Sequence, residues 1–462
     1  MRCKKSEIQH RYDVRLHPVC VLPFHAAMKF LFPRSVWIRA LLVALIFTTC
    51  AISVRYFWGY PRCQNDELNW VQIAQQIDGG HDWPISGPSF MFLLRGLSAL
   101  TEMRYVHLIS GLGIFSVFLG TVLIVLGYTQ LRIARPGITL VALALSSYFW
   151  VPLLEARPQQ WGQIHVFIGA ITAWLWLHRK NGGWLFFPIL ALTSISHILS
   201  HAILVFLCTV LALADYFENR PLTKRHVIVI ACTLLSLIVY VLPNGPYQTM
   251  LRDIEQNHLR RLLAYAPYIG GIALVTVFLV MLLKPKLHWR PDWSRKTVEY
   301  ALAHQNLICA SLLLAFFIAM SIQASVLPAA AWLPYNGSVW TFFIFQTGNL
   351  IFAVVFISGV FAFLRALLTR EIDADHARLL IWSLVAFTTL GIVALTASFW
   401  LLDTNWVLRL INYAILFAAP IAALGLSRVP LLPRHPAMHL LGLPLFVVSI
   451  CQAVRPDGFL NC

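Results

Sequence analysis

Windows of about 20 apolar residues recur along nearly the whole chain, and no other feature constrains the fold as strongly. Each is long enough to cross the ~30 Å hydrocarbon core of a bilayer as a helix. Lipid offers no partner for backbone N–H and C=O groups, so runs of this kind are read as helices. About thirteen such spans are expected, near 36–54, 105–128, 137–153, 161–177, 184–197, 202–217, 226–243, 264–283, 306–326, 340–364, 379–401, 407–426 and 437–453. Composition agrees. Of 462 residues, 59% are hydrophobic and 12% are charged, whereas a soluble globular chain carries roughly 25% charged residues. The expected class is an all-α, polytopic membrane protein with about 13 transmembrane helices. Residues 1–35 read as a basic cytoplasmic segment and 36–462 as one transmembrane domain.

The formal net charge is +16, from 35 Lys and Arg against 19 Asp and Glu. Such a balance can mark a nucleic-acid partner, but its placement argues otherwise. With a cytoplasmic N-terminus and alternating spans, most Lys and Arg fall in the head and in the loops near 132–135, 179–180, 220–225, 284–296, 365–378 and 428–434. That asymmetry is the positive-inside pattern. No nucleic-acid-binding motif appears, so the expectation is a lipid bilayer and no nucleic acid. The polar head before the first span is too long for a cleaved leader, and the first span reads as a retained anchor. The nine cysteines form no CxxC pair.

Chemistry is expected on the outer face. Its largest loop runs from 55 to 104. Within it, residues 66–78 have helical amphipathic spacing, with Trp70, Ile73, Ala74 and Ile77 on one side, the pattern of a helix lying in the membrane interface. Asp66, one turn before Trp70, shares that side, and Glu67 lies about 100° away by helix geometry. Either Asn65 or Asp66 caps this helix, or Asp66 is a general base for a hydroxyl acceptor. The next outer loop places Glu155 and Arg157 between two spans, where charges are costly unless satisfied. They are functional candidates or a local ion pair. His197 and His201, at i and i+4, would share a helix face as metal ligands do or act as interfacial hydrogen bonders. Segment 247–262 reads as a second surface helix whose Arg252, Arg260 and Arg261 grip phosphate or lipid headgroups. Arg409, near Asp403, Asn412 and Tyr413, sits about one turn inside a span and is expected to have an anionic partner.

Taken with their order, these segments resemble the GT-C membrane glycosyltransferases. The relevant relatives are the dolichyl-phosphate-mannose–protein mannosyltransferases and the bacterial aminoarabinose transferase of lipid A. The likeness rests on Asp66-Glu67 followed by an amphipathic helix, then Gly79-Gly80-His81-Asp82-Trp83-Pro84, on Arg104 before the second span, on Glu155-Ala156-Arg157-Pro158, and on 406–424. It covers the N-terminal half and, more loosely, the twelfth span. The chain departs from the family pattern at Leu68-Asn69-Trp70, at Ser86-Gly87-Pro88 and at Gln159, and it lacks the large soluble C-terminal domain of some members. The resemblance implies inverting transfer of a sugar from a polyprenyl-phosphate carrier to a lipid, glycan or protein acceptor. It places the site on the periplasmic side of a bacterial inner membrane. It implies Asp66 as base, and Glu67 or Glu155 to orient the acceptor or hold a divalent metal. Arg104, Arg157, Arg260 and Arg409 fall to the donor phosphate, and His197, His201 and Tyr413 to the acceptor or sugar.

Two other classes share some of these features. A lipid or glycan transporter or flippase would use intramembrane charges and broken helices, but the ionisable residues gather at one interface and no inverted repeat is visible. A surface-polysaccharide polymerase or ligase would use a similar carrier, with its large outer loop late in the chain rather than after the first span.

Overall fold

The computed structural model describes residues 34–57, 66–81, 87–131, 136–146, 149, 156–178, 180–217, 223–240, 291–326, 339–369, 371–372, 374–401 and 405–427. Among these, every regular element is helical. In chain order they are α1 (Arg34–Phe57), α2 (Asp66–Asp78), α3 (Pro88–Thr101), α4 (Tyr105–Leu131), α5 (Pro136–Ala144), α6 (Pro158–Leu177) and α7 (Phe186–Ser196). There follow α8 (Ile198–Phe217), α9 (Lys224–Ser236), α10 (Pro291–Ala303), α11 (Gln305–Val326), α12 (Val339–Leu368), α13 (Ala374–Leu401) and α14 (Asn405–Leu426). Five of them contain stretches long and apolar enough to cross a membrane: Ser35–Ser53, Tyr105–Gln130, Gly348–Leu368, Ala377–Ala394 and Arg409–Leu426. The expected spans at 264–283 and 437–453, and the expected surface helix at 247–262, lie outside the described residues. So does the head before residue 34. Of the expected span 137–153, the helix α5 covers only the first part.

The core runs between α14 and its neighbours. Helix α14 packs on α12, α13 and α5, and α6 packs on α4, α7 and α8. Aromatic rings link the two groups. Tyr128 of α4 meets Phe167 of α6 at 5.1 Å, Phe167 meets Phe417 of α14 at 5.7 Å, and Phe417 meets Trp382 of α13 at 5.3 Å. Edge and tilted arrangements of this kind suit the ring quadrupoles. The Tyr128 hydroxyl donates to the Leu416 carbonyl at 3.0 Å, which satisfies the one polar atom of that buried side chain.

Small residues bring α12 and α14 into backbone contact. A Cβ added to Gly359 would run into the Ile421 carbonyl oxygen, and one added to Gly425 would run into that of Val355. Apolar helices in lipid gain nothing by burying oil against oil, so close packing at such residues is what holds them together.

At one end of the bundle a separate small core forms. Val71, Ala74 and Ile77 of α2, Phe90, Met91 and Leu94 of α3, and Leu108, Ile109 and Leu112 of α4 are buried together with Ala156. The same end carries the last turn of α1 and the starts of α4, α6, α8 and α14, and it positions the site.

Candidate functional site

Two helix breaks and one helix meet at this end. The first is the entry to α6. Arg157 is its N-cap in extended backbone, and Pro158 opens the helix, where a missing N–H costs nothing. Gln160 Oε1 accepts the Arg157 N–H at 2.7 Å. This fixes the carboxamide, so Nε2 is the donor left over. It is buried with no hydrogen-bond partner among the described residues.

The second break is at His197, which separates α7 from α8 in extended conformation. Its carbonyl accepts the His201 N–H at 3.0 Å, so His197 is the N-cap of α8. Its Nδ1 lies 3.1 Å from Ser200 Oγ and 3.4 Å from Ser200 N. Accepting from that N–H makes Nδ1 the acceptor and leaves the ring proton on Nε2.

The third element is the first half of α14, two turns inside its start. Tyr413 OH lies 2.7 Å from Ser200 Oγ, and Gln163 Nε2 donates to the Asn412 carbonyl at 2.6 Å. The guanidinium groups of Arg157 and Arg409 both act electrostatically on His197, and that of Arg409 also acts on Tyr413.

Glycine lets these pieces meet. A Cβ on Gly162 would collide with Ser200 Oγ, so α6 and α8 touch through that gap. Gly87 has φ +84°, a conformation that side chains rarely adopt, and a Cβ there would strike Pro158. The turn into α3 therefore rests on the entry to α6. Ser89 Oγ donates to Ser196 Oγ at 3.1 Å across the same junction.

Four of the expected site residues are thus brought together: Arg157, His197, Tyr413 and Arg409. The others are placed differently. Glu67 is fully buried and Arg55 is 4% exposed. Arg55 Nη1 donates to Glu67 Oε1 at 2.8 Å and Nη2 donates to Oε2 at 3.1 Å. The Ala156 N–H donates to Oε1 at 2.6 Å. The buried side of α2 therefore runs through Glu67, Val71, Ala74 and Ile77, with Trp70 and Ile73 flanking it. Glu67, expected to point away, instead points inward, because an ion pair awaits it there.

Asp66 opens α2, but its side chain lies outside those described, as do Glu155 and Arg260 entirely. Arg104 is exposed in the α3–α4 turn, and its carbonyl caps α4 by accepting the His107 and Leu108 N–H groups. His201 reaches α9, where Nε2 lies 2.7 Å from Ser236 Oγ. His197, the extended N-cap of α8, and His201, inside that helix, have different partners, Ser200 for the first and Ser236 for the second.

No group of three or more His, Cys, Asp or Glu side chains able to hold a metal ion occurs among the described residues. Arg409, expected to have an anionic partner, makes no ion pair among the described residues.

Sequence reasoning missed Arg55 as a site-building residue, although a charge in the last turn of an apolar span was a visible signal. It also missed Ser200, whose hydroxyl stands between His197 and Tyr413. A second, exposed network ties α2, α3 and α4. Asp78 takes Arg95 Nη2 and Nε at 2.9 Å each, and Tyr105 OH at 2.6 Å.

The chain matches no known family model, no curated protein and no solved structure.

Proposed function

We propose that this chain is a membrane glycosyltransferase. It moves a sugar from a polyprenyl-phosphate carrier to an acceptor hydroxyl on the outer, periplasmic face of a bacterial inner membrane. The observation that carries the reading is the His197–Ser200–Tyr413 network at one end of an apolar bundle, with Arg157 capping α6 beside it and Arg409 one turn before Tyr413 on α14. Two guanidinium groups suit phosphate oxygens, and hydroxyl, imidazole and carboxamide donors suit the hydroxyls of a sugar. The apolar faces below the cluster suit a long lipid tail.

In the reaction, the acceptor oxygen attacks the anomeric carbon from the side opposite the phosphate. The bond from anomeric carbon to phosphate oxygen breaks, and polyprenyl phosphate leaves with an added negative charge. Arg157 and Arg409 stabilise that charge as it develops, with Arg104 and Arg260 as further contacts for the donor. Asp66 takes the acceptor proton, Glu155 orients the acceptor, and inversion follows from the single displacement. No step is assigned to a metal.

The decisive experiment follows labelled sugar from a lipid extract of the expressing host into glycan, lipid or protein. Asp66→Asn should lower transfer by about 10²–10⁴-fold, the usual range for loss of a general base, while the folded yield stays unchanged. Full transfer by Asp66→Asn sinks the base assignment. Glycan profiles of the host that are identical with and without the protein sink the transferase reading.

A further inference from the structure

Glu67 has partners from two distant places. Arg55 is 12 residues upstream, in the last turn of α1, and Ala156 is 89 residues downstream, at the entry to α6. The sequence neighbours of these atoms matter. Glu67 follows Asp66, and Ala156 stands between Glu155 and Arg157. One buried carboxylate therefore joins the backbone beside the candidate base to the backbone beside the acceptor-orienting acid and a phosphate-binding arginine.

Apolar contacts alone do not set that spacing. Val71, Ala74 and Ile77 already dock α2 on α3 and α4, but hydrophobic burial is non-directional. A 2.6 Å bond to a backbone N–H fixes the distance and direction between α2 and the α6 entry. The bidentate Arg55 contact fixes the carboxylate plane and balances its charge. A carboxylate that accepts three donors in a buried site is occupied in place, and orienting a mobile acceptor would break those bonds.

We infer that Glu67 is a positioning residue: through its bond to the Ala156 N–H it sets the spacing between the start of α2, which carries Asp66, and the Ala156–Arg157 entry to α6. The catalytic half of this inference rests on the transferase reading; the geometric half stands without it.

Two double variants separate the roles of Glu67. Arg55→Met with Glu67→Gln removes both charges and keeps an oxygen for the Ala156 N–H. Arg55→Met with Glu67→Met removes that oxygen as well. Replacing a buried ion pair by apolar groups is commonly tolerated, so both are expected to fold. Spin labels at Asn69→Cys on α2 and Gln159→Cys on α6, with the nine native cysteines replaced by alanine or serine, report the spacing by dipolar EPR.

The parent and the Gln variant should give one narrow distance, and the Met variant a broadened one. Labelled-sugar transfer from host lipid extract should fall about 100-fold in the Met variant, the scale of a misplacement near 1 Å. This loss should appear in kcat with little change in KM, and the Gln variant should restore most of it. Equal distance distributions in the two double variants overturn the inference, and so does equal transfer. If the parent transfers no sugar, the transferase reading fails while the EPR contrast still decides the spacing. If the Met variant does not fold, Glu67→Asp takes its place; it keeps the charge for Arg55 but is one methylene too short to hold both partners.

Discussion

Arg55 and Arg409 lie at the same end of the bundle, each about one turn from a helix terminus, and the fold uses them in opposite ways. Arg55 is 4% exposed and locked against a carboxylate that is itself fully buried. Arg409 is exposed, makes no ion pair among the described residues, and stands one turn before Tyr413 on α14, its charge acting on the phenol and on the His197 imidazole. A guanidinium with its own carboxylate at 2.8 Å is already neutralised and serves architecture. One whose charge acts on neutral polar groups keeps that charge available to an incoming anion. The difference separates the part of this end that builds the site from the part that would meet a ligand.

The contrast can be broken at several points. The largest effect is expected on the Arg55 side. Glu67→Ala strands a buried guanidinium, and losing one partner of a buried pair costs about 3–5 kcal/mol. Thermal unfolding in detergent should show it, and a loss below about 1 kcal/mol would remove Arg55 from its architectural role. On the other side, Arg409→Ala should leave the unfolding midpoint in place. It should weaken binding of polyprenyl phosphate, measured by native mass spectrometry, by about 10–100-fold, the worth of a hydrogen bond to a charged group. A large stability loss in that variant would place Arg409 with Arg55. Tyr413→Phe removes one hydroxyl from the Ser200 contact and should cost about 1 kcal/mol in the same unfolding assay. Arg95→Ala, at the exposed pair with Asp78, should cost about 0–1 kcal/mol and lose even that at high salt.

The sequence made the long helices legible because hydropathy reads burial in lipid directly. The expected span 105–128 falls within Tyr105–Leu131, 340–364 within Val339–Leu368, and 407–426 within Asn405–Leu426. The α7–α8 hairpin was also readable as two short spans, with the break at the end of the first. The meeting of Arg157, His197, Tyr413 and Arg409 was legible only as a shared membrane side.

The inward turn of Glu67 was not legible. Apolar periodicity counts an acid as outward, and the partners that reverse this lie 12 and 89 residues away. The His197–His201 face failed for a local reason. His197 is the extended N-cap of α8 and turns its Nδ1 to Ser200, whereas His201 lies inside α8 and reaches Ser236. Ser200 was passed over because a serine between two histidines draws less notice than they do until Tyr413, 213 residues away, is beside it.

The glycine contacts between α12 and α14 make the post that carries Arg409 and Tyr413 rigid. With backbone oxygens of Ile421 and Val355 lying against Gly359 and Gly425, the two helices have no side-chain cushion in which to slide. Shifting one along the other drives carbonyl against backbone. Arg409 and Tyr413 therefore stand on a fixed post. Helices α2 and α3, by contrast, are short and are fastened by a small apolar core and a handful of polar bonds.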